Sequence, residues 1–192
     1  MALTPEVLLI DENYIKKYTW VNGSVDPLLM YPAIYIAQDE HLQQYLGTDL
    51  YNKIKTDVAN NTITGNYLIL LDSWIRRCVC WWAMYEMLPH LYMKTDNGSL
   101  VVRTSEDSQP ITQDDLQNYR DQSRQKAMFY TARMVDYLCD NTSLFPEYST
   151  NTQNQLYSDT DVYPSNNFEI SMGSDRYIKG QYKRGWLDSY FQ

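Results

Sequence analysis

The sequence predicts a mainly α protein: a helical bundle of about four to five helices, with one inserted β-hairpin near residues 91–103 and an extended C-terminal arm. Three observations predict it. Apolar residues recur every three or four positions through several long stretches, the period of a single helix face. A lone Asp96-Asn97-Gly98 lies between two short β-prone runs. From Asn141 onward the period stops, and Ser, Thr, Asn and Tyr dominate. The expected organisation is a helical domain over residues 1–140 and a polar, tyrosine-rich arm over 141–192.

Residues 11–18 form a short helix candidate with Tyr14, Ile15 and Tyr18 on one side, followed by a turn around Asn22-Gly23. Asp26-Pro27 is a helix start, an acceptor at the cap and a proline in the first turn. Met30, Ile34, Ala37, His41 and Tyr45 then share one face, and Leu46-Gly47 stops the helix, because glycine tolerates positive φ. Thr48 is read as the cap of a second helix carrying Leu50, Tyr51, Ile54 and Val58, which ends near Asn60-Asn61. Two helices joined by almost no loop make a structural corner.

A long helix follows over residues 66–88. Leu71, Trp74, Cys78, Trp81, Tyr85 and Leu88 form its stripe, widened by Leu70, Ile75, Val79 and Trp82. A helix apolar on most sides is buried in a bundle or between subunits, and Pro89 is expected to end it. Residues 91–95 and 99–103 are the hairpin strands. A two-stranded hairpin is marginal alone, so it should lean on the bundle or on a neighbouring chain. After a polar loop, Thr112 caps a helix with Asp114 and Asp115 in its first turn. Leu116, Tyr119, Ala127, Tyr130, Met134 and Tyr137 mark its buried face to about Asp140. The aromatics scattered along the arm suit docking into grooves on other subunits, and Phe145, Tyr148, Tyr163 and Trp186 are the candidate partner contacts.

Composition narrows the function. A net charge of −8 opposes general nucleic-acid binding, which draws on Lys and Arg clusters, although a neutral or acidic ring wall would let a duplex slide past. No apolar run is long enough to span a bilayer, and the start MALTPEVLLIDENY lacks the pattern of a secretory signal, so no membrane partner is expected. Three cysteines, an odd number, suit reduced thiols. Neither a phosphate-binding glycine loop nor a nucleophile elbow is present. Cys78 and Cys80 point to different helix faces, which leaves no zinc site. No enzyme activity, catalytic residue, cofactor or metal is expected. The best acid–base group would be Asp39, Glu40 and His41. His41 lies on the apolar stripe as a packing residue, and Asp39 and Glu40 line a solvated or intersubunit face. Arg76 and Arg77 read as local ion-pair partners. Lys179, Lys183 and Arg184 are too few to define a nucleic-acid site.

The corner carries a pattern, Ile34-x-x-Ala37-Gln38-Asp39-x-x-Leu42-x-x-x-Leu46-Gly47-Thr48-x-Leu50-Tyr51, that resembles the head–tail connector proteins of tailed bacteriophages. It is most similar to the ring (adaptor) proteins of crAss-like phages of Bacteroidetes. LLIDENYIKKYT (residues 8–19), residues 70–76, MLPHLYMKTDNG (87–98) and AMFYTARMVDYL (127–138) extend the resemblance to roughly residues 7–148. The resemblance implies a structural virion protein at the head–tail interface, made in the bacterial host cytoplasm. It implies a ring homo-oligomer, expected to be about a dodecamer, docked to the portal protein. That ring would line the genome exit channel, let DNA pass without sequence-specific binding, and bridge to other connector or tail proteins. The alternatives are a monomeric protein-binding module and a small enzyme using Asp39, Glu40 and His41.

Overall fold

A computed structural model describes residues 6–21, 23, 25–96, 99–102 and 112–162 of the chain. The protein is mainly helical. It divides into two units, residues 1–162 and 163–192, and the second lies outside the described residues.

Helix α1 (Glu12–Tyr18) begins where Asp11 accepts a hydrogen bond from the Tyr14 amide. Helix α2 (Pro27–Ile36) starts as its residues predict, with the Asp26 carboxylate accepting from the Leu28 amide at 2.9 Å and Pro27 in the first turn. Pro32 lies inside α2 and removes one backbone bond. The helix persists because Met30, Ala33 and Ile34 are buried, and it packs against the long helix described below. A π-helical turn (Ala37–Leu42) follows, closed by the Gln43 amide bonding five residues back to Gln38. Helix α3 (Gln43–Leu46) stops at Gly47, whose φ of 73° and ψ of 158° only glycine adopts without strain. Helix α4 (Thr48–Ala59) buries Leu50, Tyr51 and Ile54.

Thr48 does not cap α4. Gly47 occupies the cap position and Thr48 is the first helical residue, because its hydroxyl and amide are both taken by Leu156. A second π turn (Leu71–Ile75) divides helix α5 (Gly65–Leu70) from helix α6 (Arg76–Tyr92), so the apolar run expected as one α-helix changes register midway. Pro89 does not end α6, which continues to Tyr92 and makes Leu91 and Tyr92 helical rather than extended. Burial of Met87 and Leu88 just before it holds that last turn down against the bond the proline forfeits. Strand β1 (Met93–Asp96) pairs antiparallel with strand β2 (Ser99–Val102), with Met93 opposite Val102 and Asp96 opposite Ser99. Helix α7 (Gln113–Asp140) opens on a Thr112 hydroxyl that accepts from the Asp115 amide at 3.2 Å.

Helix α6 is the centre of the core. It packs against α2 and α7, and its Cys78, Val79, Ala83 and Met87 are fully buried. One buried polar contact pins α6 to α7: Trp82 Nε1 donates to Thr131 Oγ1 at 3.0 Å, and that hydroxyl donates onward to the Ala127 carbonyl at 2.8 Å. On α7, Ala127 and Met134 are buried as the spacing predicts, while Tyr119 is 46 % exposed. After α7, two 3₁₀ turns (Thr142–Leu144 and Pro146–Ser149) return the chain to the body.

Candidate functional site

The residues of the 34–51 pattern build a corner, and each has an architectural task. Gln38 is fully buried, accepts the Leu9 amide at 2.7 Å and donates to the Val7 carbonyl at 3.1 Å. Its amide acts as a strand would, satisfying two backbone groups of the N-terminal segment. The Tyr51 hydroxyl donates to the Asp39 carboxylate, tying α4 back onto the π turn. Burial first, and the Asp39 carboxylate second, hold the Tyr51 phenol well above its ordinary pKa. Lys55 Nζ lies 3.6 Å from Asp39 and over the Tyr51 ring. Ile34, Ala37, Leu42, Leu46 and Leu50 are buried in the core.

Asp39, Glu40 and His41 do not converge. Asp39 turns to Tyr51, Glu40 is exposed, and His41 Nε2 lies 2.8 Å from the Glu86 carboxylate. The His41 ring stacks on Trp82 at 4.0 Å with planes 7° apart, and Tyr85 meets its edge. The histidine is a hydrogen-bonded packing residue, as its place on the apolar stripe predicts. His90 is exposed. Arg76 pairs with Asp72 one turn earlier at 2.5 Å and donates Nε to the Leu9 carbonyl at 3.1 Å.

The corner is closed from outside by a strap, residues 150–159. The Thr48 amide donates to the Leu156 carbonyl at 3.0 Å, and the Leu156 amide returns a bond to the Thr48 hydroxyl at 3.1 Å. The Asp159 amide donates to the Gln44 carbonyl at 2.8 Å. Asp49, in the first turn of α4, accepts from the Thr152 amide (2.8 Å) and from the hydroxyls of Thr150 (2.8 Å) and Thr152 (3.0 Å). These donors, the Thr152 amide foremost, lower the Asp49 pKa. The strap thereby supplies an acceptor to an amide that the start of α4 leaves unpaired and a donor to a carbonyl that the end of α3 leaves unpaired. It also passes closely: a Cβ on Gly47 would come 3.0 Å from the Ser158 nitrogen.

Phe145 and Tyr148 anchor the segment that leads into the strap. Phe145 is fully buried, edge-on to Tyr67 at 5.4 Å, and Tyr148 is 5 % exposed beside Cys139. Both rings meet this chain's own core, so in the single chain neither faces a partner. The Tyr67 hydroxyl adds a bond to Glu147 at 2.6 Å. Tyr163 and Trp186 lie outside the described residues. The strap's contacts with Thr48 and Asp49 bridge residues about a hundred positions apart, so no local pattern announces them.

Among the described residues, no group of three or more His, Cys, Asp or Glu is placed to hold a metal ion, and Cys78, Cys80 and Cys139 are free. No described helix is long and apolar enough to cross a membrane. The geometry defines a class: a helical body whose corner is locked by its own C-terminal segment. The chain belongs to a family of unknown function, DUF6712, whose model matches residues 42–158, more than half of the chain. That span runs from the π turn to Ser158, the strap residue seated on Gly47, so it takes in both sides of the lock. No curated protein and no solved structure matches the chain.

Proposed function

We propose that the protein is a structural virion component, a ring-forming head–tail connector that docks to the portal, lines the genome exit channel and bridges to tail components. The observation that carries this reading is the corner. Its pattern resembles connector proteins, and every residue named in it is spent on architecture, which suits a part that bears load in an assembly. The Asp39-Glu40-His41 triplet supports the same reading, since Asp39 turns to Tyr51, His41 to Glu86 and Glu40 to solvent. In this reading the body of the subunit is residues 1–162, and Tyr163, Trp186 and the hairpin add contacts to portal, tail and adjacent subunits beyond those the body itself makes. DNA passes the acidic wall without sequence-specific contact.

The test is native mass spectrometry of the full chain, alone and mixed with the portal of its phage. A closed multiple of the 22.7 kDa chain, about twelve copies where the portal is twelve-fold, is the expected result. A monomer that ignores the portal would overturn it. The second reading, a monomeric protein-binding module, draws on half-exposed Trp20 and Phe129, and a monomer that binds the portal without forming a ring is its signature.

A further inference from the structure

The charges of this chain are segregated along the sequence, and the fold turns that segregation into surfaces. Residues 18–52 contain no Lys or Arg but carry Asp26, Asp39, Glu40 and Asp49. Residues 119–133 carry Arg120, Arg124, Lys126 and Arg133 against Asp121 alone. The first stretch includes α2 and the second lies in α7, and each helix packs chiefly on α6. Arg120 turns to the Tyr85 ring, and Arg124 lies near Tyr45. The other two cations face outward among aromatic rings.

Lys126 Nζ sits 4.2 Å from the Trp20 ring centre and 5.1 Å from that of Trp81, and these two rings meet edge-on at 5.3 Å. The Arg133 guanidinium lies 5.6 Å from both Trp74 and Phe129. A cleft of about 360 Å³ opens beside Lys126, lined by Trp81, Gln122, Gln125, Lys126, Phe129 and Tyr130. Phe129 in this lining, and Trp20 against Lys126 and Trp81, are each 55 % exposed. The salt bridges among the described residues use His41, Lys53, Lys55 and Arg76, and neither Lys126 nor Arg133. The cations are therefore held by ring faces, which leaves their charge open to an outside carboxylate.

The outer side of α2 has the opposite character. Leu28, Pro32 and Ile36 recur every four residues on one exposed face, and Leu28 is 72 % exposed. The ridge is rimmed by acids: Glu6 beside the Tyr35 hydroxyl at one flank, Asp39 and Glu40 at its end. Among the described residues, nothing in the chain covers the ridge or fills the cleft.

We propose that the α2 ridge of one copy seats in the α6–α7 cleft of the next. The apolar residues would lie against Trp81 and Phe129, and Glu40 would face Lys126. Apolar ridge meets aromatic cleft, and acidic rim meets cations, which is the complementarity that specifies a partner and its register. The two surfaces differ, so the contact is head-to-tail, and such contacts close into rings when the rotation per copy divides a full turn. A nucleic acid fits the cleft poorly, because one lining cation, Lys126, in a chain of net charge −8 offers a phosphate backbone little. The contact names the subunit interface of the connector proposed above and rests on that reading for ring closure.

The test is a charge exchange read by native mass spectrometry over a concentration series of the full chain. Glu40→Lys and Lys126→Glu are each expected to weaken self-association about tenfold or more, through like-charge contact. The two together in one chain should restore it, since every interface then regains an opposite pair. Leu28→Ala and Phe129→Ala, both at exposed positions, should weaken association without lowering Tm. Restoration in the double variant supports the contact. A double variant as weak as the singles, or an oligomer unchanged in all variants, overturns this contact and leaves the ring reading standing. A wild-type chain that stays monomeric at every concentration, alone and with the portal, overturns both.

Discussion

Asp49 is the residue on which the strap's dependence on pH rests. Its carboxylate is held below the ordinary 3.8 by the Thr152 amide first and the Thr150 hydroxyl next. A folded pKa depressed in this way contributes stability that is fully present above 3.8 and is lost as pH falls through the lower folded value. Protection of the Thr152 amide from hydrogen exchange should therefore drop as pH falls below 3.8, while α6 stays protected. Asp49→Asn should remove that transition and leave Thr152 less protected at neutral pH. Unchanged protection across the window would mean that the clamp does not depend on the charge. His41 answers a different question. His41→Ala deletes the ring stacked on Trp82 and leaves Glu86, largely buried, without its partner. The expected loss is about 1–3 kcal/mol in urea unfolding. A stability unchanged by the substitution would contradict the packing role.

At the scale of elements, the corner is held by contributions of unequal size. Burial of a side chain such as Phe145 is worth roughly 1.5–3 kcal/mol, whereas a backbone bond such as Thr48 to Leu156 nets about 0.5–1.5 kcal/mol. Residues 145–148 should therefore stay seated when the strap beyond them opens. Gly47→Ala isolates the strap, because the new Cβ both strains a φ of 73° and meets the Ser158 nitrogen at 3.0 Å. It should cost about 1–3 kcal/mol and raise amide exchange at Leu156 and Asp159 more than anywhere in α6. Exchange raised equally throughout would place Gly47 in the global fold instead. Thr131→Val probes the α6–α7 seam, since it leaves Trp82 Nε1 buried and unpaired. About 1–3 kcal/mol of destabilisation is expected by thermal unfolding. The two π turns belong to this scale as well. Each adds a residue to a helical turn and shifts the register, which the sequence, read with a single period, does not display.

For the whole molecule, thiol labelling reports the opening of the core. Burial pushes the Cys78 and Cys80 thiols up to about 12, and Cys139 is raised as well but only half-buried. A thiol reagent at pH 8 should label Cys139 slowly in the native protein and reach all three only under denaturant. Rapid native labelling of Cys78 or Cys80 would contradict the core described. Much of that core was legible in the chain. Met30, Ile34, Leu50, Ile54, Cys78 and Met134 are buried where a 3.6-residue period puts them, and the starts at Asp26 and Thr112 and the stop at Gly47 follow from cap chemistry and positive φ. These are local properties, set by neighbours within one or two turns. The part played by Gln38, the burial of Phe145 and Tyr148, the persistence of α6 beyond Pro89 and the use of Thr48 and Asp49 by the strap are not local. Each depends on which distant backbone group comes within hydrogen-bond range or which apolar surface waits to be covered. Periodicity and capping by themselves determined where this chain is helical and which sides are apolar. Only the tertiary structure decided which polar groups are spent inside the corner, because their partners lie tens of residues away and are selected by packing.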